Sequence, residues 1–582
     1  MKKQSFVYGA IILSLSGIIC KMLGAIYKIP LVNVLSAKGI GVYYLVFPVY
    51  AFLLTFVSNS FIVSTSKMVS KRVAQGDDRG AFIFFVSTLL TLSTIGLILA
   101  VGLCFLSKII AGLQGMADAY ICYLALAPAL VAVAISSAFR GYFQGLQNMT
   151  PSAISSIIDQ LFKLAIGLTL AKIFINKGVL YGAFGAILGV SVAEISSCLF
   201  FVFYYLYFRA KNGEYFASFT LKKRNKTKKN EPFKTSILKN KSIQKKSIKP
   251  QSFFSCGTKF VKNGAKITDC GTKLSKKRRF SFLEIKEVFK NALPFILSSV
   301  ILPTSMVIDS FLVVNLLFSM GFDKFFSTGL LGLNSGVVGT LVSLPSTFSV
   351  SICMTLVPYL VYSLSQKDYE GVSKKAELTL KLNLIVALPC VIVFLLFSKN
   401  VLQLLYAGSF LCDAELNLAS TLLVLSSSSV LYLTILQMST ALLQAVGKAY
   451  VPVLSLLVSL VVKVACEVLL IKFFGIIGVA ISNCICYFLS SFINLWEFRK
   501  IVKINLSLYQ ALVAPLLSCA FMVGAIVGAL KICEVFVSFR FASLFAFFVG
   551  GTVYLASLVL FRCFTKEEQA TFFRKKKKVA KV

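Results

Sequence analysis

The feature that most constrains this chain is its series of long apolar runs. Several extend for roughly eighteen residues or more with at most one charge, enough for a helix to cross a hydrocarbon core about 30 Å thick. Of the 582 residues, 57% are hydrophobic and 14% are charged, whereas a soluble domain has about 25% charged residues. The sequence therefore predicts a polytopic, all-α integral membrane protein and excludes a soluble enzyme.

Dividing the apolar runs at clusters of charge, glycine and proline gives fourteen candidate transmembrane spans. An even number of spans places both termini on the same side of the membrane. The predicted spans are 6–27, 40–64, 81–105, 118–139, 152–174, 180–208, 289–316, 329–362, 379–397, 416–443, 452–473, 476–496, 509–530 and 540–563.

Lysine and arginine are divided unevenly between the two sides that these spans define. The side with both termini carries 47 of the 60, the opposite side carries ten, and three lie inside spans. The long segment 209–290 contributes 24 of the 47, which leaves 23 against ten without it. Because basic residues concentrate on the cytoplasmic side, both termini are predicted to be cytoplasmic. Topology thus accounts for the net charge of +38 without nucleic acid as a partner.

Two parts of the chain resemble each other. FQGLQNMTPS, which contains Gln144, matches LQAVGKAYVP, which contains Gln444, and GAFGAI matches GIIGVAI further along. Gln144 and Gln444 precede Lys163 and Lys463 by the same nineteen residues. These matches predict two parallel six-helix repeats, related by an axis along the membrane normal, with two more helices at the end.

The repeats and the charge distribution predict the domain organisation. The loop between the repeats is polar and strongly cationic, so we expect it to be largely disordered. It suits binding to anionic lipids of the inner leaflet, and a solvated linker is the alternative. The predicted parts are an N-lobe (1–208), a basic cytoplasmic loop (209–288), a C-lobe (289–497), two further helices (498–564) and a basic cytoplasmic tail (565–582).

Charged residues inside the spans are candidate site residues, because a charge in the membrane is costly unless it is paired or hydrated. Lys163 lies eleven residues into its span, at a depth of roughly 17 Å, and Lys463 lies at the same depth in the matching span. Two such cations suit a phosphate or pyrophosphate. Each lysine also has a carboxylate one turn away, Asp159 or Glu467, so local neutralisation is the alternative.

Three further charges allow more than one interpretation. Lys21 in the first span either extends towards the membrane surface or pairs with Asp309 in the equivalent seventh span. Glu194 has no evident partner in the sequence. It is either a coupling group for a cation or proton, or an acid that is simply protonated.

The chain has no histidine and 15 cysteines. Without histidine there is no imidazole base and no histidine-ligated metal site. No CxxC pair occurs, so the cysteines indicate neither a redox motif nor a zinc motif. We expect them to pack as small hydrophobes and expect no cofactor or metal.

The segment RGYFQGLQNMTPSAISSIIDQLFK, from Arg140 to Lys163, closely resembles the signature of spans four and five in the SpoVB/YtgP-type polysaccharide transporters. These belong to the MOP flippase superfamily, which includes the lipid II flippase MurJ. KMLGAIYKIPL, GIGVYYLVFPVY, SKMVSK and LVPYL add to the resemblance. It covers essentially the whole chain apart from 209–285.

The resemblance implies a MATE-like fold of fourteen helices in two lobes, which alternate between inward- and outward-open forms around a cationic cavity. The implied protein is a transporter of the bacterial plasma membrane and not an enzyme. Its implied cargo is an undecaprenyl-pyrophosphate-linked saccharide, lipid II for the MurJ-like members, moved to the outer leaflet for peptidoglycan synthesis. Lys21 and Lys163 stand where the family usually has arginine. Lysine keeps the charge but loses the planar bidentate fork.

Our hypothesis from this resemblance is that Lys21, Lys163 and Lys463 hold the pyrophosphate while Arg140 guides it in at the cytoplasmic mouth. Membrane potential, Na⁺ or H⁺ would drive transport. The predicted substrate-binding residues are Lys21, Lys28, Arg140, Gln144, Lys163 and Lys463, and the coupling or ion-pair candidates are Asp159, Glu194, Asp309 and Glu467.

Other functions remain open from the sequence. The cargo could be another lipid-linked glycan, of the teichuronic, capsular or spore-cortex kind. A MATE-type drug or cation antiporter would be expected to have a more acidic cavity. A non-transporting scaffold would use the basic loop to recruit cell-wall synthesis proteins. A membrane glycosyltransferase is disfavoured because the predicted external loops offer only scattered acidic residues.

Overall fold

The computed structural model describes residues 6–211, 282–366, 368–406, 412–502, 507–533 and 539–564. The described residues form helices and no strand, which confirms the all-α membrane class. Most of the predicted basic loop, 212–281, and the predicted tail, 565–582, lie outside the described residues.

In the described residues, the first half of the chain forms seven α-helices and the second half forms ten. The first seven are α1 (Phe6–Leu54), α2 (Asn59–Ala74), α3 (Asp78–Leu113), α4 (Tyr120–Gly145), α5 (Thr150–Phe162), α6 (Leu168–Phe174) and α7 (Val179–Lys211). The next ten are α8 (Phe282–Ser319), α9 (Lys324–Leu331), α10 (Gly339–Ser365), α11 (Tyr369–Leu396), α12 (Ser398–Tyr406), α13 (Asp413–Ala445), α14 (Tyr450–Phe474), α15 (Ile476–Arg499), α16 (Ala514–Cys533) and α17 (Phe539–Leu560).

Among the described residues, wider π-helical turns interrupt two long helical runs and stand at the start of a third. A π-helix forms i→i+5 hydrogen bonds, and such turns are frequent at functional sites. They lie at Lys163–Gly167 between α5 and α6, at Gly332–Val338 between α9 and α10, and at Tyr509–Val513 before α16.

Eleven helical runs among the described residues are long and apolar enough to cross a membrane, fewer than the fourteen predicted. The first predicted span, 6–27, lies in α1, which is interrupted at Ser36, where φ is 61°. The second, 40–64, begins in α1 and ends in α2. The predicted span 152–174 is divided by the π-helical turn Lys163–Gly167. The predicted span 289–316 lies in α8, where the apolar stretch is the shorter Pro303–Ser319. The chain is a multi-pass membrane protein, and the number fourteen stays a prediction.

The internal repeat has a local structural counterpart at the turn between α4 and α5 and the turn between α13 and α14. Gln147 and Gly447, at matching sequence positions, both have left-handed backbone conformations, with φ of 60° and 86°. The N–H of Gln147 donates to the carbonyl of Gln144, and the N–H of Gly447 donates to that of Gln444. The two sequences therefore fold into the same turn, although one uses glycine and the other glutamine.

The second matching motif also occupies equivalent places. A Cβ on Gly185 of α7 would lie 2.6 Å from the backbone oxygen of Leu170. A Cβ on Gly478 of α15 would lie 2.5 Å from the backbone carbonyl carbon of Leu470. Both glycines therefore allow close helix contact at the same point of the repeat.

The two halves of the chain contact each other along the second part of α1. This part packs against α9 and the π-helical turn that follows it. A Cβ on Gly41 would lie 2.0 Å from the backbone oxygen of Thr328, so the approach requires glycine. Beside this contact, the hydroxyls of Tyr44 and Thr340 are 3.2 Å apart.

A buried glutamine ties the halves together at the end of α3. The side chain of Gln114 donates to the carbonyl oxygen of Leu45 and to the hydroxyl of Ser310 on α8, both at 2.9 Å. It accepts from the hydroxyl of Tyr123 at 2.5 Å. Because these bonds satisfy a fully buried amide, the contact between α3 and α8 is specific as well as apolar.

Candidate functional site

The first group of candidate residues is built on α5. Asp159 and Lys163 are four residues apart and share a helix face, and Asp159 Oδ2 lies 3.5 Å from Lys163 Nζ. Their side chains are 10% and 15% exposed. Gln160 donates to the same Oδ2 at 2.8 Å, whereas Oδ1 is buried without a hydrogen-bond partner. The pair is therefore loose, with unused hydrogen-bonding capacity.

Arg140 of α4 and Glu194 of α7 belong to the same group. Glu194 interacts electrostatically with Asp159, Lys163 and Arg140. The Arg140 guanidinium lies 5.8 Å from the ring centre of Phe201, and its Nε is buried without a hydrogen-bond partner. We call Arg140, Asp159, Lys163 and Glu194 the Lys163 cluster. Two of its members retain donors or acceptors that an entering polar ligand could use.

The second group joins α14 to α8. Lys463 Nζ donates to Asp309 Oδ1 at 2.6 Å, to Asp309 Oδ2 at 2.7 Å and to Ser305 Oγ at 2.9 Å. Glu467 Oε1 lies 3.9 Å from the same nitrogen. The Lys463 side chain is 3% exposed. We call these four residues the Lys463 cluster. An ammonium has three N–H donors, so these three contacts use its full donor capacity.

The partner of Asp309 differs from the one that the sequence suggested. Lys21 was a candidate for this pair, but Asp309 binds Lys463, and Lys21 is exposed on α1. The neighbouring Cys20 interacts electrostatically with Asp159, Arg140 and Lys163 of the Lys163 cluster, and Tyr43 and Tyr50, further along α1, interact with its acidic members. Because adjacent helical residues point about 100° apart, a one-residue shift changes which side chain faces the cluster.

The remaining predicted substrate-binding residues, Lys28 and Gln144, take no part in the ion pairs of the two clusters. Lys28 Nζ is 5.5 Å from the ring centre of Tyr44. Gln144 donates to the Ser152 hydroxyl at 3.3 Å. In the part of the chain that the structure describes, no ion pair joins the Lys163 cluster to the Lys463 cluster.

Two contributors were missed by sequence reasoning. Ser305 lies one helical turn before Asp309, and that spacing could have identified it. Cys20 carried no charge and gave no signal beside Lys21. Within the described ranges, no group of three or more histidine, cysteine, aspartate or glutamate side chains is placed to hold a metal ion.

Two protein-family models match the chain in succession. Residues 6–234 match the family of polysaccharide biosynthesis proteins, and residues 265–547 match the family of the lipid II flippase MurJ. Both matches agree with the resemblance drawn from the segment between Arg140 and Lys163.

Relatives from Bacillus subtilis (strain 168) align over most of their length. Stage V sporulation protein B is 24% identical over 580 residues, which covers 98% of each chain. Lipid II flippase MurJ is 24% identical over 499 residues, which covers 83% of this chain and 80% of the relative.

Solved structures show the same fold. A lipid II flippase MurJ in an inward closed conformation aligns with a TM-score of 0.64 at 15% identity, and covers 95% of this chain and 99% of that one. An inward-facing multidrug resistance MATE transporter of the MOP superfamily aligns with a TM-score of 0.57 at 14% identity, covering 84% and 98%. The relatives with named functions are flippases and transporters rather than enzymes. The chain is therefore similar to the polysaccharide biosynthesis proteins, to stage V sporulation protein B and to the lipid II flippase MurJ, and it has the fold of the solved MurJ and MATE structures.

Proposed function

We propose that this protein moves a polyprenyl-pyrophosphate-linked saccharide from the inner to the outer leaflet of the bacterial plasma membrane by alternating access, with lipid II as the cargo. The Lys163 cluster carries the proposal. It contains two cations, Lys163 and Arg140. Lys163 makes only a loose ion pair with Asp159, and the Nε of Arg140 is buried without a hydrogen-bond partner. A pyrophosphate can replace the carboxylate at such cations through charge-assisted hydrogen bonds.

The role that we propose for Lys463 differs from the sequence-based hypothesis, in which it holds the pyrophosphate together with Lys21 and Lys163. Lys463 already donates to Asp309 and Ser305 with all three of its N–H groups. It can hold pyrophosphate only after it leaves Asp309. We therefore assign the first contact with the cargo to Lys163 and Arg140, and Lys21, Lys28 and Gln144 stay predictions.

The orientation and the driving force form part of the proposal. With both termini cytoplasmic, the inside-negative potential favours outward movement of an anion by about 2.3 kcal/mol per charge per 100 mV. The basic loop would attract anionic lipids of the inner leaflet. Deleting 215–280 separates these roles, since a flippase should largely keep its activity whereas a scaffold that recruits wall-synthesis proteins should lose its function.

The test is to deplete the resident lipid II flippase of a Gram-positive host that expresses this chain and to label lipid II on the outer leaflet. We expect wild-type protein to restore both the surface label and growth. Lys163→Gln should fail although it reaches the membrane in normal amount, and Lys172→Gln, which changes an exposed lysine of α6, should restore both. If wild-type protein is inserted but surface lipid II still falls, the cargo is a different lipid-linked glycan.

A further inference from the structure

The Lys463 cluster contains more negative than positive groups. Two carboxyl groups, of Asp309 and Glu467, face one ammonium, which lies 2.6 Å from the first and 3.9 Å from the second. If both carboxyls were ionised, the cluster would carry one uncompensated negative charge. Such a charge inside a membrane costs several kcal/mol.

Glu467 is the member whose charge is not balanced. Its side chain is 0% exposed, and neither of its carboxyl oxygens accepts a hydrogen bond. The three donors of Lys463 are directed at Asp309 and Ser305 instead. A buried carboxylate without donors is strongly disfavoured, whereas a neutral carboxylic acid in the same place carries no charge to compensate.

Among the side chains that the structure describes, the helices packed against α14 bring no second cation to Glu467. From α8 comes Asp309, and from α15 come Tyr487 and Cys486, which interact electrostatically with the same cluster. From α13 there is no charge nearby, because its acidic residues, Asp413 and Glu415, lie in its first turn. The Lys463 ammonium lies within 4 Å of both carboxyl groups, so the positive charge that balances the second carboxyl is best supplied by a proton bound to the carboxyl itself.

We infer that Glu467 is a proton-binding site, so that the Lys463 cluster consists of one ammonium, one carboxylate and one neutral carboxylic acid. The proton leaves Lys463 wholly to Asp309 and so holds α8 against α14. Loss of the proton would make two carboxylates compete for one ammonium. Because α8 also packs against α1, α2 and α3 of the first half, this proton controls a helix that joins the two halves.

The proton can be detected without any transport assay, by the infrared carbonyl band of a protonated carboxylic acid in purified, membrane-reconstituted protein. We expect Glu467→Gln to remove one such band, while Asp413→Asn, which changes an exposed acid on α13, leaves the spectrum unchanged. Glutamine keeps the shape of the side chain and its neutral state, so this variant should fold. A spectrum that Glu467→Gln leaves unchanged would overturn the proposal.

Two further variants test the charge balance itself. In Asp309→Asn the ammonium needs a new counter-ion, so Glu467 should release its proton and its band should disappear although the residue is still present. In Lys463→Met no ammonium remains, so Asp309 should take up a proton and a second band should appear. Persistence of the Glu467 band in Asp309→Asn, or no added band in Lys463→Met, would contradict the inference.

The consequence for transport rests on the proposed flipping activity. Stability of the closed α8–α14 contact should be greatest at acidic pH, where Glu467 keeps its proton, and should fall as the pH rises. Glu467→Gln should behave at every pH as the wild type does at acidic pH. If the infrared bands respond as expected but no cargo is flipped, the proton site stands and the proposed function fails.

Discussion

Lys163 and Lys463 occupy the same position of the repeat but differ in how closely each is paired with a carboxylate. Each lies thirteen residues after the first residue of its helix, Thr150 or Tyr450, and each has a carboxylate one turn away on its own helix. Lys163 makes one ion pair at 3.5 Å, whereas Lys463 is held by Asp309 at 2.6 Å and is almost fully buried.

The neighbouring helix causes this difference. α1 packs on α5 as α8 packs on α14, but α8 brings Asp309 to its lysine and α1 brings Cys20. The helix itself also differs, because a π-helical turn begins at Lys163 and α14 continues without one past Lys463. Equal sequence positions therefore give one lysine with a loose ion pair on its own helix and one lysine held in a close ion pair between two helices.

The largest effect is expected when Lys463 loses both Asp309 and Glu467, the acid that could replace Asp309 as its counter-ion. Asp309→Asn combined with Glu467→Gln should lower the free energy of unfolding by about 3–5 kcal/mol, because it leaves an unpaired buried charge. Asp159→Asn should lower it by about 1 kcal/mol or less, because Lys163 is partly solvated. Unfolding of the purified proteins in detergent measures both, and equal losses would erase the distinction between the clusters.

Neutralising the two lysines should affect different quantities. Lys163→Gln should lower the rate of flipping per folded molecule by about tenfold or more, since a charge-assisted hydrogen bond contributes about 1.5–3 kcal/mol. Lys463→Gln should mainly lower the amount of folded protein. Surface labelling of the cargo, normalised to protein in the membrane, separates the two, and Lys163→Arg should retain activity. A normal rate for Lys163→Gln would contradict the role of the cluster.

The counter-ion that a neighbouring helix supplies in the Lys463 cluster can be introduced into the Lys163 cluster. Cys20→Asp should give Lys163 a close counter-ion from the neighbouring helix, as Asp309 gives Lys463. We expect the rate of flipping to fall several-fold, because pyrophosphate must then displace a charge-assisted contact between Lys163 and the new carboxylate. Cys20→Asn, which adds a similar volume without charge, is the control, and an equal loss in both variants would mean that shape rather than charge is responsible.

A smaller effect than that of the double variant is expected at the third hydrogen bond of Lys463. Ser305→Ala should lower the free energy of unfolding by about 1.5 kcal/mol, the lower end of the range for a hydrogen bond to a charged group. The lysine keeps its two contacts with Asp309, so transport should be unchanged. A loss as large as that of the double variant at Asp309 and Glu467 would show that Ser305, and not the carboxylates, holds the ammonium.

Much of the fold was accessible from the sequence because membrane helices are long and apolar. The apolar runs identified the membrane class, and the segment between Arg140 and Lys163 indicated the resemblance to the polysaccharide transporters, which the family models also match. The repeat was visible in paired motifs, and matching turns at Gln147 and Gly447 now support it. Span boundaries were less accessible: at Ser36 a polar residue bends α1 without proline or glycine, and no composition rule marks such a break.

For the candidate site, the sequence determined which charges lie in the membrane and that Asp159 and Glu467 stand one turn from their lysines. That spacing follows from the helical period alone, which fixes contacts along one helix. Tertiary structure decided that Asp309 pairs with Lys463 and that Cys20, not Lys21, faces the Lys163 cluster. Contacts between helices depend on rotation about each axis, which is set by packing of residues distant in the chain, so a helical pattern cannot supply them.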